Sequence, residues 1–186
     1  PIFINALGVG AEKIASQIGI ETGFYAVKHQ AFITKRLPLL GKDGDILDMI
    51  IDRRIYKGFS SIYGQQLHST GQLIACASPM FDTQVAWKNL KTNDEHFLKV
   101  CTEVFIQMFP MLKNVGIQAS WAGYYTEPRY IIDTKLGMFT GLRGHGFMFS
   151  QYLAKMYVDS ITGKKVPDYF YKLAFNGEGI EENALK

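Results

Sequence analysis

The chain opens on an apolar run, residues 2–6, interrupted only by Asn5. Such a run predicts a short strand inside a parallel sheet, covered on both faces. Gly8 and Gly10 supply a turn. Ile14, Ala15 and Ile18 then share one face of a helix that Gly19 stops. The pattern changes over the next hundred residues. Residues 24–34, 46–52, 55–62 and 72–78 read as strands, separated by the turns GKDG and HSTG. That succession predicts an antiparallel or mixed sheet rather than repeated strand–helix units. A helix is predicted over 94–108, where Phe97, Val100, Cys101, Val104, Phe105 and Met108 recur at helical spacing. Thr92 and Glu95 have the spacing of a capping box, and Pro110 ends the helix. Residues 115–125, 130–133 and 138–142 are further strands. A last helix begins near Phe147, with Phe149, Tyr152, Leu153, Met156 and Tyr157 on one face and Gly163 closing it. From Lys164 the chain turns polar and reads as an extended or loose tail.

Composition narrows the classes of function. Of 186 residues, 47% are hydrophobic and 20% charged, which suits a globular, core-forming chain. The formal charge of +3 is spread along the sequence. Lys164-Lys165 makes no basic patch, so a nucleic-acid partner is not expected. No uncharged apolar run approaches the roughly 20 residues a bilayer requires, so no membrane partner is expected. The first fifteen residues lack a basic stretch followed by a long apolar one, and a cytoplasmic location is expected. Pro1 in place of Met raises the expectation of a processed or cut chain. Cys76 and Cys101 make no disulfide framework. Cys101 lies on the apolar stripe and reads as core filler. Neither Cys-x-x-Cys nor His-Glu-x-x-His occurs, so no metal is expected.

Three stretches carry candidate chemistry. Residues 1–15 have the look of a nucleotide-domain start, but the third position of G-x-G-x-x-G is Lys13, too large for the close helix–strand packing a glycine allows. A stand-alone dinucleotide site is therefore poorly supported against an ordinary tight turn. GLRGHGFMFS, residues 141–150, sets three glycines around His145 just before a helix. Glycines let a backbone approach a ligand, and a helix start offers free N–H groups and a positive dipole end for an anion or an electron-rich ring edge. A loop that merely turns the chain is the equal alternative, and a structural His145 is favoured over a catalytic one. In SWAGYYTEP, Trp121, Tyr124 and Tyr125 line a pocket or fill core. Lys28, His29 and Gln30 form a polar cluster in a predicted strand.

Taken in order, YAVKHQAFIT, FPMLKNVGIQASWAGYY, GLRGHGFMFSQ and ITGKKVPDYF resemble the C-terminal half of the flavin-dependent amine and amino-acid oxidoreductases of the D-amino-acid oxidase superfamily. The nearest flavour is the sarcosine oxidase β-subunit, with L-proline dehydrogenase β-subunits and dimethylglycine dehydrogenase close by. The resemblance covers nearly the whole chain and rests most on Trp121-Ala122-Gly123-Tyr124 and Gly144-His145-Gly146-Phe147-Met148. It implies an α+β (α/β) fold. A mixed or antiparallel substrate-domain sheet with flanking helices would occupy 21–125. An incomplete Rossmann-like FAD-binding domain would comprise 1–20 and 126–163, and residues 164–186 would be a tail.

The resemblance also implies a chemistry. An amine such as sarcosine, proline or dimethylglycine would lose a hydride from the carbon next to nitrogen to a non-covalently held FAD, and the imine would then hydrolyse. Asn5, Ala6 and Gly8 would pass near the FAD phosphates. Gly144, His145, Gly146, Phe147 and Met148 would lie at the flavin ring, and Tyr124, Tyr125 and Arg143 on the substrate side. No catalytic residue is assigned. The first half of the FAD domain would be supplied by a longer chain or another subunit. The 186 residues alone are expected to be inactive and not to retain FAD. Departures from the family pattern cluster by the cofactor: Arg129 for an aspartate, Asp133 for a glycine, Arg143 for a small residue, and Met148 where some oxidases carry a carboxylate-pairing lysine. These motivate the alternative of a non-catalytic interaction module or truncated relic. Exposed apolar surface at Ile2 and Ile4 would favour a partner or homo-oligomer.

Overall fold

The computed structural model describes residues 2–80, 84–85, 95–127, 131–133 and 137–171. The chain divides into two compact units, one of Pro1–Val27, Gln84–Trp87 and Tyr124–Lys186, the other of Lys28–Thr83 and Lys88–Gly123. The fold is α+β.

The second unit is built on a sheet. Its strands are β1 (Tyr25–Thr34), β2 (Ile50–Asp52), β3 (Phe59–Gln66) and β4 (Leu73–Pro79), ordered β2-β3-β4-β1, with β6 (Ile117–Glu127) also against β1, whereas β5 (Gln84–Val85) falls in the first unit. The pairings of β2 with β3, β3 with β4 and β4 with β1 are antiparallel, within the antiparallel or mixed sheet expected. The first residues of β1, Ala26 and Val27, pair with Val85 and Gln84 within the first unit.

Residues opposed across antiparallel strands point to one face. Gly64, Ala75 and Phe32 form such a row, and Ile62 and Ala77 form the next. Helix α2 (Glu95–Met108) covers this face with Phe97, Val100, Cys101, Val104 and Phe105. Gly64 is required here: a Cβ would lie 2.7 Å from the Phe105 ring and 2.6 Å from the Ile74 carbonyl. Phe97 packs edge-on against Phe32 and Phe59 at 6.0 and 6.2 Å. Cys101 is fully buried in this core, and burial pushes its thiol up to about 12. The capping pair of this helix rests on Thr92, which lies outside the described residues, as do Asp94 and Arg129.

Strand boundaries moved for local reasons. The strand expected over 46–52 shrinks to Ile50–Asp52. The buried Gln66 side chain accepts the N–H groups of Leu40 and Leu47 and donates to the carbonyls of Pro38 and Gly71, so Leu47 is held by this side chain as well as by the Gln66 backbone N–H on its carbonyl. The strand expected over 55–62 begins only at Phe59, because Lys57 and Gly58 take left-handed backbone in a tight Tyr56–Phe59 turn.

The first unit departs further from expectation. Residues 2–6 do not form a covered strand. Only Asn5 bridges, to Met138 in parallel, and Ile2 and Phe3 are 66% and 64% exposed. The partner strand is short: β7 (Ile131–Asp133) and β8 (Met138–Thr140) form a two-stranded hairpin, and it offers the opening run one bridge only. Helix α1 (Ala11–Gln17) buries Ala11 and Ala15, whereas Ile18 is exposed past its end. Helix α3 (Gly146–Ile161) buries Leu153, Met156 and Tyr157 against Ile132, Val166 and Phe170. Phe149 and Tyr152, expected on that apolar face, are exposed. The expected loose tail is partly wrong as well. Val166 and Phe170, the latter on the short α4 (Asp168–Tyr171), are core residues, because two apolar side chains complete the patch that α3 leaves open. Residues 172–186 lie outside the described part.

Candidate functional site

Two segments of the first unit meet at the start of α3. One is the end of β6, where Tyr124, Tyr125, Thr126 and Glu127 follow one another, with Thr126 and Glu127 buried. The other is the turn Arg143–His145, which leads into α3 with His145 as its cap residue. No side chain caps the helix start. Its first N–H groups have no intrahelical acceptors, and Phe147 is wholly exposed beside them. Met148 is also exposed.

The turn is held by β6. Arg143 Nε donates to the Glu127 carboxylate, whose side chain is 5% exposed against 18% for the arginine. Arg143 has φ +49°, left-handed backbone that a side-chain-bearing residue rarely adopts. Gly144 follows where no other residue fits: a Cβ would lie 2.6 Å from the Tyr125 hydroxyl oxygen. The His145 N–H donates to the Leu142 carbonyl at 3.0 Å. The His145 ring stacks on Phe149 with centroids 5.9 Å apart, and its Nδ1 is buried with no hydrogen-bond partner among the described residues.

The opening segment is bonded into the same unit. Gly8 takes φ +55°, and its carbonyl accepts the Thr140 hydroxyl at 3.2 Å, three residues before Arg143. The Asn5 side chain is turned inward: Nδ2 donates to the Ala11 carbonyl at 2.8 Å and Oδ1 accepts the Leu7 N–H at 3.4 Å. Its backbone bonds to Gly137 and Phe139. Ala6, beside it, is exposed. Of the residues singled out in the sequence, Tyr125, Arg143, Gly144 and His145 are thus brought together, and Gly8 is tied to the strand that leads to them.

Glu127 went unnoticed in the sequence. Nothing in its local pattern marks it, since its role depends on Arg143, sixteen residues on. Of the polar cluster of β1, Gln30 lies opposite Ala77 of β4. On the sheet face opposite α2, Ala31, Cys76, Tyr63 and Ile51 form one cross-strand row. Burial raises the Cys76 thiol, opposed by a hydrogen bond with Tyr63. Among the described residues no group of three His, Cys, Asp or Glu side chains could hold a metal, and no helix is long and apolar enough to cross a membrane.

No family model matches the chain, and no curated protein matches it either. Solved structures do. The L-proline dehydrogenase of P. horikoshii is 25% identical and matches 94% of this chain with a TM-score of 0.70. The glycine oxidase of Geobacillus kaustophilus is 16% identical over 91% with a TM-score of 0.65, and the L-amino acid deaminase of Proteus vulgaris is 18% identical over 92% with a TM-score of 0.61. This chain spans only 46%, 44% and 41% of those three proteins. All are members of the FAD-dependent D-amino-acid oxidase superfamily, and the fold of this chain is that of a C-terminal half of such an enzyme. The resemblance drawn from the motifs holds at the level of the fold.

The residues present supply donors that would suit one edge of a flavin dinucleotide. The α3 start has no side-chain cap, Gly144 brings backbone close under Tyr125, and the buried His145 Nδ1 has no partner among the described residues.

Proposed function

We propose that the chain is the substrate-binding and C-terminal part of an FAD-dependent oxidoreductase that oxidises the C–N bond of a secondary or tertiary amine or an amino acid, such as sarcosine, proline or dimethylglycine. The observation that carries this reading is the likeness to L-proline dehydrogenase over 94% of the chain at a TM-score of 0.70. The flavin, when bound, supplies the two-electron chemistry by taking a hydride from the carbon next to nitrogen. The residues of this chain bind and orient. The turn Arg143–His145 and the N–H groups at the start of α3 would hold the ring edge and would favour negative charge there. Tyr124 and Tyr125 offer aromatic walls with polar tips on the substrate side. Ala6 and Gly8 present backbone to the phosphates, while the Asn5 side chain holds that backbone in place from within.

The exposed Ile2, Phe3, Ile4 and Leu7 support a missing complement to this unit, a preceding half of the FAD domain or another subunit. The ion pair of Arg143 with Glu127 and the apolar Met148 support a site without the usual lysine anchor for a substrate carboxylate. The second reading, a non-catalytic interaction module, draws on the same exposed apolar residues. Product analysis separates the two. The full-length protein incubated with sarcosine, L-proline or dimethylglycine and an artificial electron acceptor should release the carbonyl or imine product and reduce the acceptor. Absence of turnover with a broad panel of amines would favour the interaction module.

A further inference from the structure

The turn before α3 contains a strained residue and a buried ion pair, and the two are the same residue. Arg143 has φ +49°, a conformation that costs a non-glycine residue stability unless its surroundings enforce it. Its guanidinium is bound by the carboxylate of Glu127, which is almost fully buried at the end of β6. The next residue, Gly144, is packed under Tyr125, two residues before Glu127 on the same strand. The strand end therefore holds the turn at two adjacent points.

We propose that Glu127 is a positioning residue: by binding Arg143 it holds the left-handed step of the Arg143–His145 turn, and so fixes where the open N–H groups of α3 are presented to the cofactor. The functional half of this statement rests on the proposed flavin-binding reading. The mechanical half does not. Moving the turn away from β6 would part a nearly buried carboxylate from the guanidinium bound to it, so the pair opposes that movement. Arginine, unlike glycine, needs that restraint, because glycine adopts positive φ at no steric cost.

A double-mutant cycle separates positioning from ordinary stabilisation. In the full-length protein, E127Q should speed amide exchange about tenfold at His145, whose N–H bonds to Leu142, and at Ser150 in the first turn of α3, given the strain released at a left-handed arginine. Exchange at Tyr157, later in the same helix, should not change. In an R143G background, E127Q should no longer speed exchange at His145 or Ser150, because the pair it breaks is already gone and the strained side chain with it. Unchanged exchange at His145 and Ser150 in E127Q, or an equal rise at Tyr157, would overturn the positioning role. Titration of FAD into the same variants reads the functional half, with E127Q expected to weaken affinity about tenfold and R143G/E127Q to bind no more weakly than R143G. Altered exchange with unaltered FAD affinity would leave the mechanical role standing and overturn the assignment of this turn to the cofactor.

Discussion

Tyr125 stands over Gly144 so closely that a methyl group on the glycine would come within 2.6 Å of the tyrosine hydroxyl oxygen. Gly144→Ala must therefore displace either Tyr125 or the turn. Because the turn is also tied to Glu127, the strain is expected to cost about 1–3 kcal/mol. Thermal unfolding should show it, and a Y125F/G144A double variant should recover only part, since the ring carbons Cε2 and Cζ lie at 2.7 and 2.8 Å. A G144A protein as stable as the parent would contradict the geometry.

Gln66 acts as a hub in the second unit. Its amide serves two N–H donors and two carbonyl acceptors from three separate chain segments, and it is 2% exposed. Gln66→Leu keeps the volume and strands those four groups. A loss of about 2–5 kcal/mol is expected, read by urea unfolding. Proteolysis should become faster between residues 38 and 47, where the backbone loses its side-chain partner. A loss below about 0.5 kcal/mol, the range of ordinary surface changes, would contradict the hub.

The Arg54 guanidinium beside Asp52 holds its carboxyl down from 3.8 to about 2, helped by the Arg54 N–H and the Tyr56 hydroxyl and opposed by burial. A carboxyl depressed in the folded state contributes stability that is complete above its ordinary value and declines as pH falls through the folded one. The stability gap between the parent and D52N should thus be constant above pH 3.8 and close as pH falls toward about 2. Arg54 is 69% exposed, so added salt should shrink the gap. A gap independent of pH would contradict the pairing.

Cys101 is buried in the α2 core, with its thiol near 12 and thus protonated at neutral pH. Only the thiolate reacts. Maleimide should leave Cys101 unmodified in the native protein and label both cysteines in urea, as mass spectrometry of peptides can read. Rapid native labelling of Cys101 would contradict its position.

Where the sequence was legible, one element sufficed to specify the outcome. The stripe of Phe97, Val100, Cys101, Val104 and Phe105 fixes both the α2 helix and the face it buries. The HSTG turn likewise separates the antiparallel β3 and β4. Legibility failed where a distant partner decides. The apolar run at 2–6 carries the pattern of a buried strand, but backbone pairing there reaches only Asn5. The segment 46–49 has strand composition, yet the Leu47 N–H goes to the Gln66 side chain and the Ile46 N–H to that of Asp45. Val166 and Phe170 sit in a polar stretch and belong to the core through α3. At the site, Gly144, His145 and Tyr125 were visible because glycine and aromatic motifs are local. Glu127 was not, because a buried ion pair across sixteen residues leaves no periodic trace.

The central claim is that this chain is one half of a flavin site for amine oxidation, and anaerobic flavin titration tests it most directly. The full-length protein should bind FAD stoichiometrically, and an amine such as L-proline or sarcosine should bleach the visible flavin band without oxygen. The isolated 186 residues should bind FAD weakly or not at all. A full-length protein that binds no flavin, or tight stoichiometric FAD on the isolated 186 residues, would contradict the account.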